Sequence, residues 1–202
     1  METYLTTSID PIEVAFVRVG LNVALDVAAV KAVEHGVLAL EGKALRLAGP
    51  ARADDGLTAA LVAASTATPM PWKTARSNAT RRARDAAAAL ERKLVAAGLL
   101  REPTPLRWLT GRRTPRGSAW LSAAQLAYPA AQIVATDPAL ALALHGPRAL
   151  DGTRYHAATV AAAAADGESS GGCGASFVGD GGSGCGSGGC GSGGCGGGGC
   201  GG

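Results

Sequence analysis

Five thiols offer the most reactive chemistry in this 202-residue chain: Cys173, Cys185, Cys190, Cys195 and Cys200. The last four fall at five-residue intervals, as Cys185-Gly-Ser-Gly-Gly, Cys190-Gly-Ser-Gly-Gly, Cys195-Gly-Gly-Gly-Gly and Cys200-Gly-Gly. Thiolates bind Zn(II) and Cu(I), and structural sites space their ligands as C-x₂₋₄-C within a supporting fold. The four-residue gap falls within that range, but the background is almost pure glycine and serine. An odd number of cysteines leaves one thiol unpaired or joined to a second chain, so intermolecular disulfides are a second candidate. Each cysteine follows a glycine, as do Ser183, Ser187 and Ser192. Gly-Cys and Gly-Ser pairs resemble the substrates of azole-forming peptide cyclases, which makes enzymatic modification a third. The plain alternative is an inert low-complexity tail.

Whatever these thiols do, they do it away from a core. From Gly171 onward lie 19 of the 30 glycines and every cysteine. Glycine loses the most backbone entropy on ordering and brings no side chain to bury. Residues 166–202 therefore read as a disordered tether.

The second chemical feature is charge. Every Lys and Arg lies between Arg18 and Arg154, so the net +3 of the chain becomes +6 for residues 1–165. Trp72 to Arg116 holds twelve basic residues against Asp85, Glu91 and Glu102. Lys73, Arg76, Arg81, Arg82, Arg84, Arg112 and Arg113 are the candidate anion-binding residues. Such a stretch attracts phosphate, on nucleic acid or on an anionic membrane surface. Trp72, Trp108 and Trp120 lie in or beside it and suit a nucleic-acid groove, a membrane surface or a protein contact equally well. A core tryptophan with a solvated arginine face is the simpler alternative.

The body carries no H-E-x-x-H, G-x-S-x-G or Cys/His pair and no catalytic residue is assigned. Gly36 to Lys43 resembles a phosphate loop only loosely, because the glycine spacing is wrong and Ala44 replaces the required Ser/Thr. His35 and His145 each precede a glycine at the end of a helix, where a cation meets the dipole favourably. No body motif implies a cofactor. No basic-then-apolar leader opens the chain and no run of about 18 apolar residues could cross a bilayer, so the expected location is cytoplasmic, at most peripheral to a membrane.

These groups need elements to position them. Asp10-Pro11-Ile12-Glu13 reads as N-cap, first helical residue and capping box for a short helix to Arg18. A mostly enclosed helix follows from Leu21 to Glu34. Its polar positions, Asn22, Asp26, Lys31, Glu34 and His35, form no single face. Val37–Leu47 reads as a β-hairpin turning at Gly42. Leu57–Ser65 is helical, Pro69 and Pro71 interrupt, and a long helix is expected over Trp72–Ala97. Val33-Glu34-His35-Gly36-Val37-Leu38 and Val95-Ala96-Ala97-Gly98-Leu99-Leu100 are the same helix–glycine–strand junction. Pro103–Gly117 reads as loop. Helices follow at Ala119–Val134, from Asp137-Pro138 to His145, and over Thr153–Ala165.

The segment from Asp10 to Gly20, the alanine-rich helix with His35-Gly36-Val37-Leu38, the stretch Ala143–Leu150 and the Gly/Cys repeats together resemble an uncharacterised bacterial family of domain-containing membrane proteins with a Gly/Cys-rich C-terminal tail. The resemblance covers most of the chain and implies no catalytic residues. Members carry a hydrophobic span around the position of Glu102 to Arg112. Here that place holds Pro103-Thr104-Pro105-Leu106-Arg107-Trp108-Leu109.

The sequence thus predicts a mostly α protein. Two winged-helix-like modules, 1–50 and 51–118, precede a helical subdomain at 119–165 and the tail at 166–202. The expected role is non-catalytic interaction, with an unidentified protein as partner. Nucleic-acid binding through residues 72–116 and a metal-binding or modified tail are the alternatives. If the tail is an open tether, all five cysteines should alkylate in the native protein at similar rates, as read by intact mass. Protection relieved by a chelator would indicate Zn(II) or Cu(I), and a mass deficit of one water per site would indicate azoline formation.

Overall fold

Asp10 caps the first helix. In the computed structural model, which describes residues 9–50, 53–103 and 112–169, the Asp10 Oδ1 accepts the Ile12 N–H at 3.0 Å and Pro11 fills the first turn of α1 (Pro11–Arg18). The capping box is not completed: Glu13 instead pairs with Lys93. The reason is geometric, since α1 packs near the helix that carries Lys93 and an opposite charge is within reach. α1 buries Ile12, Val14, Ala15, Phe16 and Val17, and α2 (Leu21–Glu34) is buried almost continuously from Ala24 to Val33. A helix of alanine and valine can be surrounded closely because its side chains are short.

α2 ends at Gly36, where φ is 71°. The Gly36 N–H reaches Val33 O at 3.1 Å and the Val37 N–H reaches Ala32 O at 2.9 Å. This six-to-one closure needs a left-handed residue, which glycine adopts without strain. Gly98, at φ 70°, repeats the arrangement: Gly98 N–H to Val95 O at 2.8 Å and Leu99 N–H to Leu94 O at 2.9 Å. The two junctions matched by sequence are matched in backbone geometry.

The expected hairpin forms as β1 (Leu38–Glu41) and β2 (Ala44–Leu47), antiparallel with Leu40 opposite Leu45. A third strand, β3 (Met70–Pro71), pairs with β2 and completes a sheet of order β1-β2-β3. A two-residue strand that follows one proline and ends on another carries no period, so the sequence reads it only as a break. After Gly98 the chain forms an isolated antiparallel bridge, Leu100 to Arg113, flanking residues 104–111, which are outside the described set.

α3 (Gly56–Ala64) is capped by Asp55, whose two oxygens accept the Thr58 N–H and hydroxyl, each at 2.8 Å. The single helix expected over Trp72–Ala97 is two: α4 (Trp72–Arg82) and α5 (Arg84–Ala96), separated by the fully buried Ala83 at φ −83°, ψ 2°. No glycine or proline marks this break, so it belongs to packing. α4 buries Trp72, Ala75, Arg76 and Ala79, whereas α5 buries only Leu94.

The loop expected to Gly117 ends sooner. Thr114 caps α6 (Pro115–Ala127), with its hydroxyl accepting the Gly117 N–H at 2.9 Å and donating to Gly98 O at 2.6 Å. Pro129 then separates α6 from the short α7 (Ala130–Ile133). α8 (Pro138–His145) is capped by Asp137 and enclosed from Pro138 to Leu144. A 3₁₀ turn (Pro147–Leu150) leads to α9 (His156–Ser169). One buried cluster draws residues from segments 1–50, 51–118 and 119–165. Among the described residues no helix is long and apolar enough to cross a membrane.

Gly117 sits where α6 meets the Gly98 junction. A Cβ at that position would lie 2.1 Å from the Leu99 carbonyl oxygen. Helix propensity alone would make Gly117→Ala stabilising by about 1 kcal/mol. The clash is with backbone, which cannot rotate away, so Gly117→Ala is expected to lose about 1–3 kcal/mol of stability in chemical denaturation.

Candidate functional site

The basic residues picked out by sequence do not share one surface. Lys73, Arg81, Arg82 and Arg84 are exposed on α4 and the start of α5. Arg81 Nη2 donates to Asn78 Oδ1 at 2.7 Å, and Asn78, Arg81 and Arg82 line a shallow cavity of about 390 Å³ with Ala64 from the end of α3. No ion pair joins these four cations to a carboxylate among the described residues. Several other cations are paired on the chain itself: Lys31 faces Asp10, Arg46 faces Glu41, Lys93 faces Glu13 and Arg154 faces Glu34.

Arg76 leaves the anion-binding set. It is 5% exposed, and its Nη1 donates to Asp26 Oδ2 at 2.8 Å while Nη2 donates to the Ala162 carbonyl at 2.9 Å. The Trp72 indole N–H, one turn earlier on the same face, donates to Asp26 Oδ1 at 2.7 Å. Trp72 is 2% exposed, so it is a core residue rather than a stacking platform. Asp26, 4% exposed, thus has both carboxylate oxygens engaged. The sequence signal for this network was a lone acid within an apolar helix and a Trp-x₃-Arg spacing. Burial turns such an acid into a demand for partners.

Arg112 lies apart from the α4 cations. Its guanidinium stacks 4.3 Å above the Phe16 ring, Nη1 donates to Phe16 O at 3.1 Å, and Nη2 is 3.7 Å from Glu91. Arg113, next in sequence, is exposed. Trp120 is half-buried, and Trp108 lies outside the described residues. So do Cys173, Cys185, Cys190, Cys195 and Cys200, the residues that could hold Zn(II) or Cu(I). Among the described residues no cluster of three or more His, Cys, Asp or Glu is arranged to hold a metal ion.

Of the histidines, His35 is the exposed C-cap of α2, and His145 Nε2 donates to Tyr128 O at 2.8 Å. Both sit at helix C-termini, as their spacing implies. A cavity of about 410 Å³ between the end of α2 and the start of α3 is lined by Lys31, His35, Asp54, Asp55 and Thr58. Its Asp55 is committed to capping α3, so this cavity follows from helix termination.

A second polar lock lies where α9 begins. The Tyr155 hydroxyl donates to Glu34 Oε1, and Arg154 Nη2 donates both to Glu34, at 2.8 Å, and to the Tyr155 oxygen, at 2.6 Å. Tyr155 is 3% exposed; burial first, and its bond to Glu34 second, push its pKa up to about 12. The Tyr155 bond, then the Arg154 bond, hold the Glu34 carboxyl below its usual range.

Two outcomes follow. Asp26→Asn keeps an acceptor for Trp72 but leaves the Arg76 charge without its counterion, and is expected to cost about 3–5 kcal/mol in denaturant titration. Asp26→Leu with Arg76→Met should cost less than the sum of the two single changes, because no buried charge remains. For Tyr155, a folded pKa above the unfolded value of 10.0 means that the folded state holds the proton more tightly. Its contribution is complete below pH 10 and disappears as pH rises through about 12. The stability difference between the wild type and Tyr155→Phe should therefore be constant below pH 10 and shrink above it.

No protein-family model, no curated protein and no solved structure matches this chain.

Proposed function

We propose that this chain is a non-catalytic interaction protein that holds an acidic partner protein on the arginine face of α4 and carries its thiols on a C-terminal tether. The observation that supports this reading is the contrast within one set of cations. Arg46, Lys93 and Arg154 are matched to carboxylates on the chain itself, while Lys73, Arg81, Arg82 and Arg84 are exposed with no such match among the described residues. Unmatched exposed arginines with fixed helical spacing form a long-range attractive field for negative charge. Arginine adds a fork of donors that suits carboxylates in two-point contact.

A second reading, nucleic-acid binding through tandem winged-helix-like modules, draws on the matched turns at Gly36 and Gly98. Each leads from a helix into an antiparallel pairing, β1 with β2 in one case and Leu100 with Arg113 in the other. In the first module only Lys31 on α2 could reach a base edge, and it faces Asp10. The α4 arginines would carry the backbone contacts instead, giving affinity with little sequence preference.

Titration against an acidic polypeptide and against a DNA duplex at two salt concentrations separates the readings. Binding of the polypeptide, weakened at least tenfold by Arg81→Ala with Arg84→Ala, is the expected result. Duplex binding that falls steeply with salt and is lost in the same variant would replace the protein partner with nucleic acid. Indifference of both ligands to these substitutions would remove the α4 face from the function.

A further inference from the structure

The α4 face is not uniform, because two of its cations share a cavity. Arg81 and Arg82, in the last turn of α4, line one shallow hollow of about 390 Å³ together with Asn78 and with Ala64 from the end of α3. Lys73 and Arg84 stand outside that lining. Among the described residues the lining holds no carboxylate, and Asp85, the acid closest in sequence, forms no ion pair. Arg82 makes no side-chain hydrogen bond there. Arg81 makes one, from Nη2 to Asn78 Oδ1 at 2.7 Å.

That bond orients the site. A guanidinium can only donate, so the Asn78 carbonyl oxygen faces Arg81, and Asn78 Nδ2 turns to Met70 Sδ of β3, at 3.7 Å. The Arg81 fork is therefore held before any ligand arrives, and less side-chain freedom is lost on binding. The one side-chain acceptor in the lining, Asn78 Oδ1, is taken, so what the cavity offers a ligand is donors. The C-terminal ends of α3 and α4 both border it, and helix dipoles favour cations at such ends. At exposed helix ends that effect is screened, and Arg82 donates to no carbonyl of either helix, so its donors stay open.

We infer that this cavity seats a phosphorylated side chain of the partner, a phosphate monoester that carries close to two negative charges at neutral pH. The inference rests on the reading of the α4 face as the site of an acidic partner protein, and names what that partner brings to it. Consecutive helical residues point about 100° apart, so the two arginine forks reach the cavity from different directions. A carboxylate has one charge and two oxygens in one plane, which a single fork satisfies. A phosphoryl group presents three terminal oxygens in a tetrahedral arrangement, so two forks engage it at once and its charge matches both. The phosphodiester of a nucleic acid brings one charge per group and leaves one guanidinium unmatched. Lys73 and Arg84, outside the cavity, are left to attract the carboxylates that flank the phosphorylated residue.

The test uses the full chain under reducing conditions at neutral pH, with fluorescent peptides that differ at one position: phosphoserine, glutamate or serine, each flanked by aspartates. In anisotropy titrations the phosphoserine peptide should bind roughly tenfold tighter than the glutamate peptide. Inorganic phosphate should compete with it, and dimethyl phosphate, a monoanion, should not. Arg82→Gln is the main variant because its side chain is exposed and makes no contact that the fold needs among the described residues. It should bring the phosphoserine and glutamate peptides to equal affinity. Asn78→Ala keeps both charges but frees Arg81, and should keep only part of the preference. Lys73→Gln with Arg84→Gln should weaken all the peptides in parallel and leave the preference intact. Equal binding of the phosphoserine and glutamate peptides, or a preference undiminished in Arg82→Gln, would overturn the inference and leave the acidic-partner reading standing. Competition by dimethyl phosphate as strong as that by inorganic phosphate would overturn it in favour of a nucleic-acid backbone. Failure of every peptide to bind would remove both readings.

Discussion

The carboxylate of Asp26 is the constraint around which the described fold is arranged. A charged group surrounded by alanine and valine in the middle of α2 is untenable alone, because desolvation of an isolated carboxylate exceeds what any nearby apolar contact returns. It is met from two directions at once, by the Trp72 indole and the Arg76 guanidinium. The second arm of Arg76 then reaches the Ala162 carbonyl. One acid therefore fixes α4 to α2, and through Arg76 fixes α9 to both. Hydrophobic contact between alanine-rich helices is nearly indifferent to sliding, since their surfaces are uniform. Three directional bonds to buried atoms supply the register that such surfaces lack.

This arrangement also decides which charges face outward. Arg76 and its exposed neighbours belong to one run of basic sequence, yet α4 has two sides and the inner one belongs to Asp26. The exposed residues Lys73, Arg81, Arg82 and Arg84 pair with no carboxylate among the described residues, while Glu13 pairs with Lys93, Glu34 with Arg154 and Tyr155, and Glu91 with Arg112. The surface potential is thus a product of internal pairing as much as of composition.

The alanine-rich composition has a structural consequence beyond helix propensity. Short side chains let backbones come close, so single methyl groups become decisive. Gly117 lies so near Leu99 O that no Cβ can be accommodated, and a Cβ on Gly56 would come within 2.8 Å of the Ala86 methyl. Close-packed small residues leave little slack to absorb an added atom. The sheet is small by comparison, and β3 contributes only two residues to it.

The sequence by itself determined the local features. The Asp10-Pro11 and Asp137-Pro138 caps, the turn at Gly42 and the paired glycine junctions at residues 36 and 98 are all legible because each rests on a hydrogen bond or dihedral within about six residues. Thr114-Pro115 carried the same kind of signal for α6, although the surrounding prolines and arginines read as loop. What only the tertiary structure decided depends on groups far apart in the chain. Asp26 meets Arg76 fifty residues away, and Arg76 meets Ala162 eighty-six residues further on. β3 exists because β2 offers it an edge, and α4 separates from α5 at Ala83 without any breaker residue. Whether an arginine in a basic run faces a partner or a buried acid is not encoded in its neighbours. It is set by which helix packs against it, and that is a property of the assembled fold.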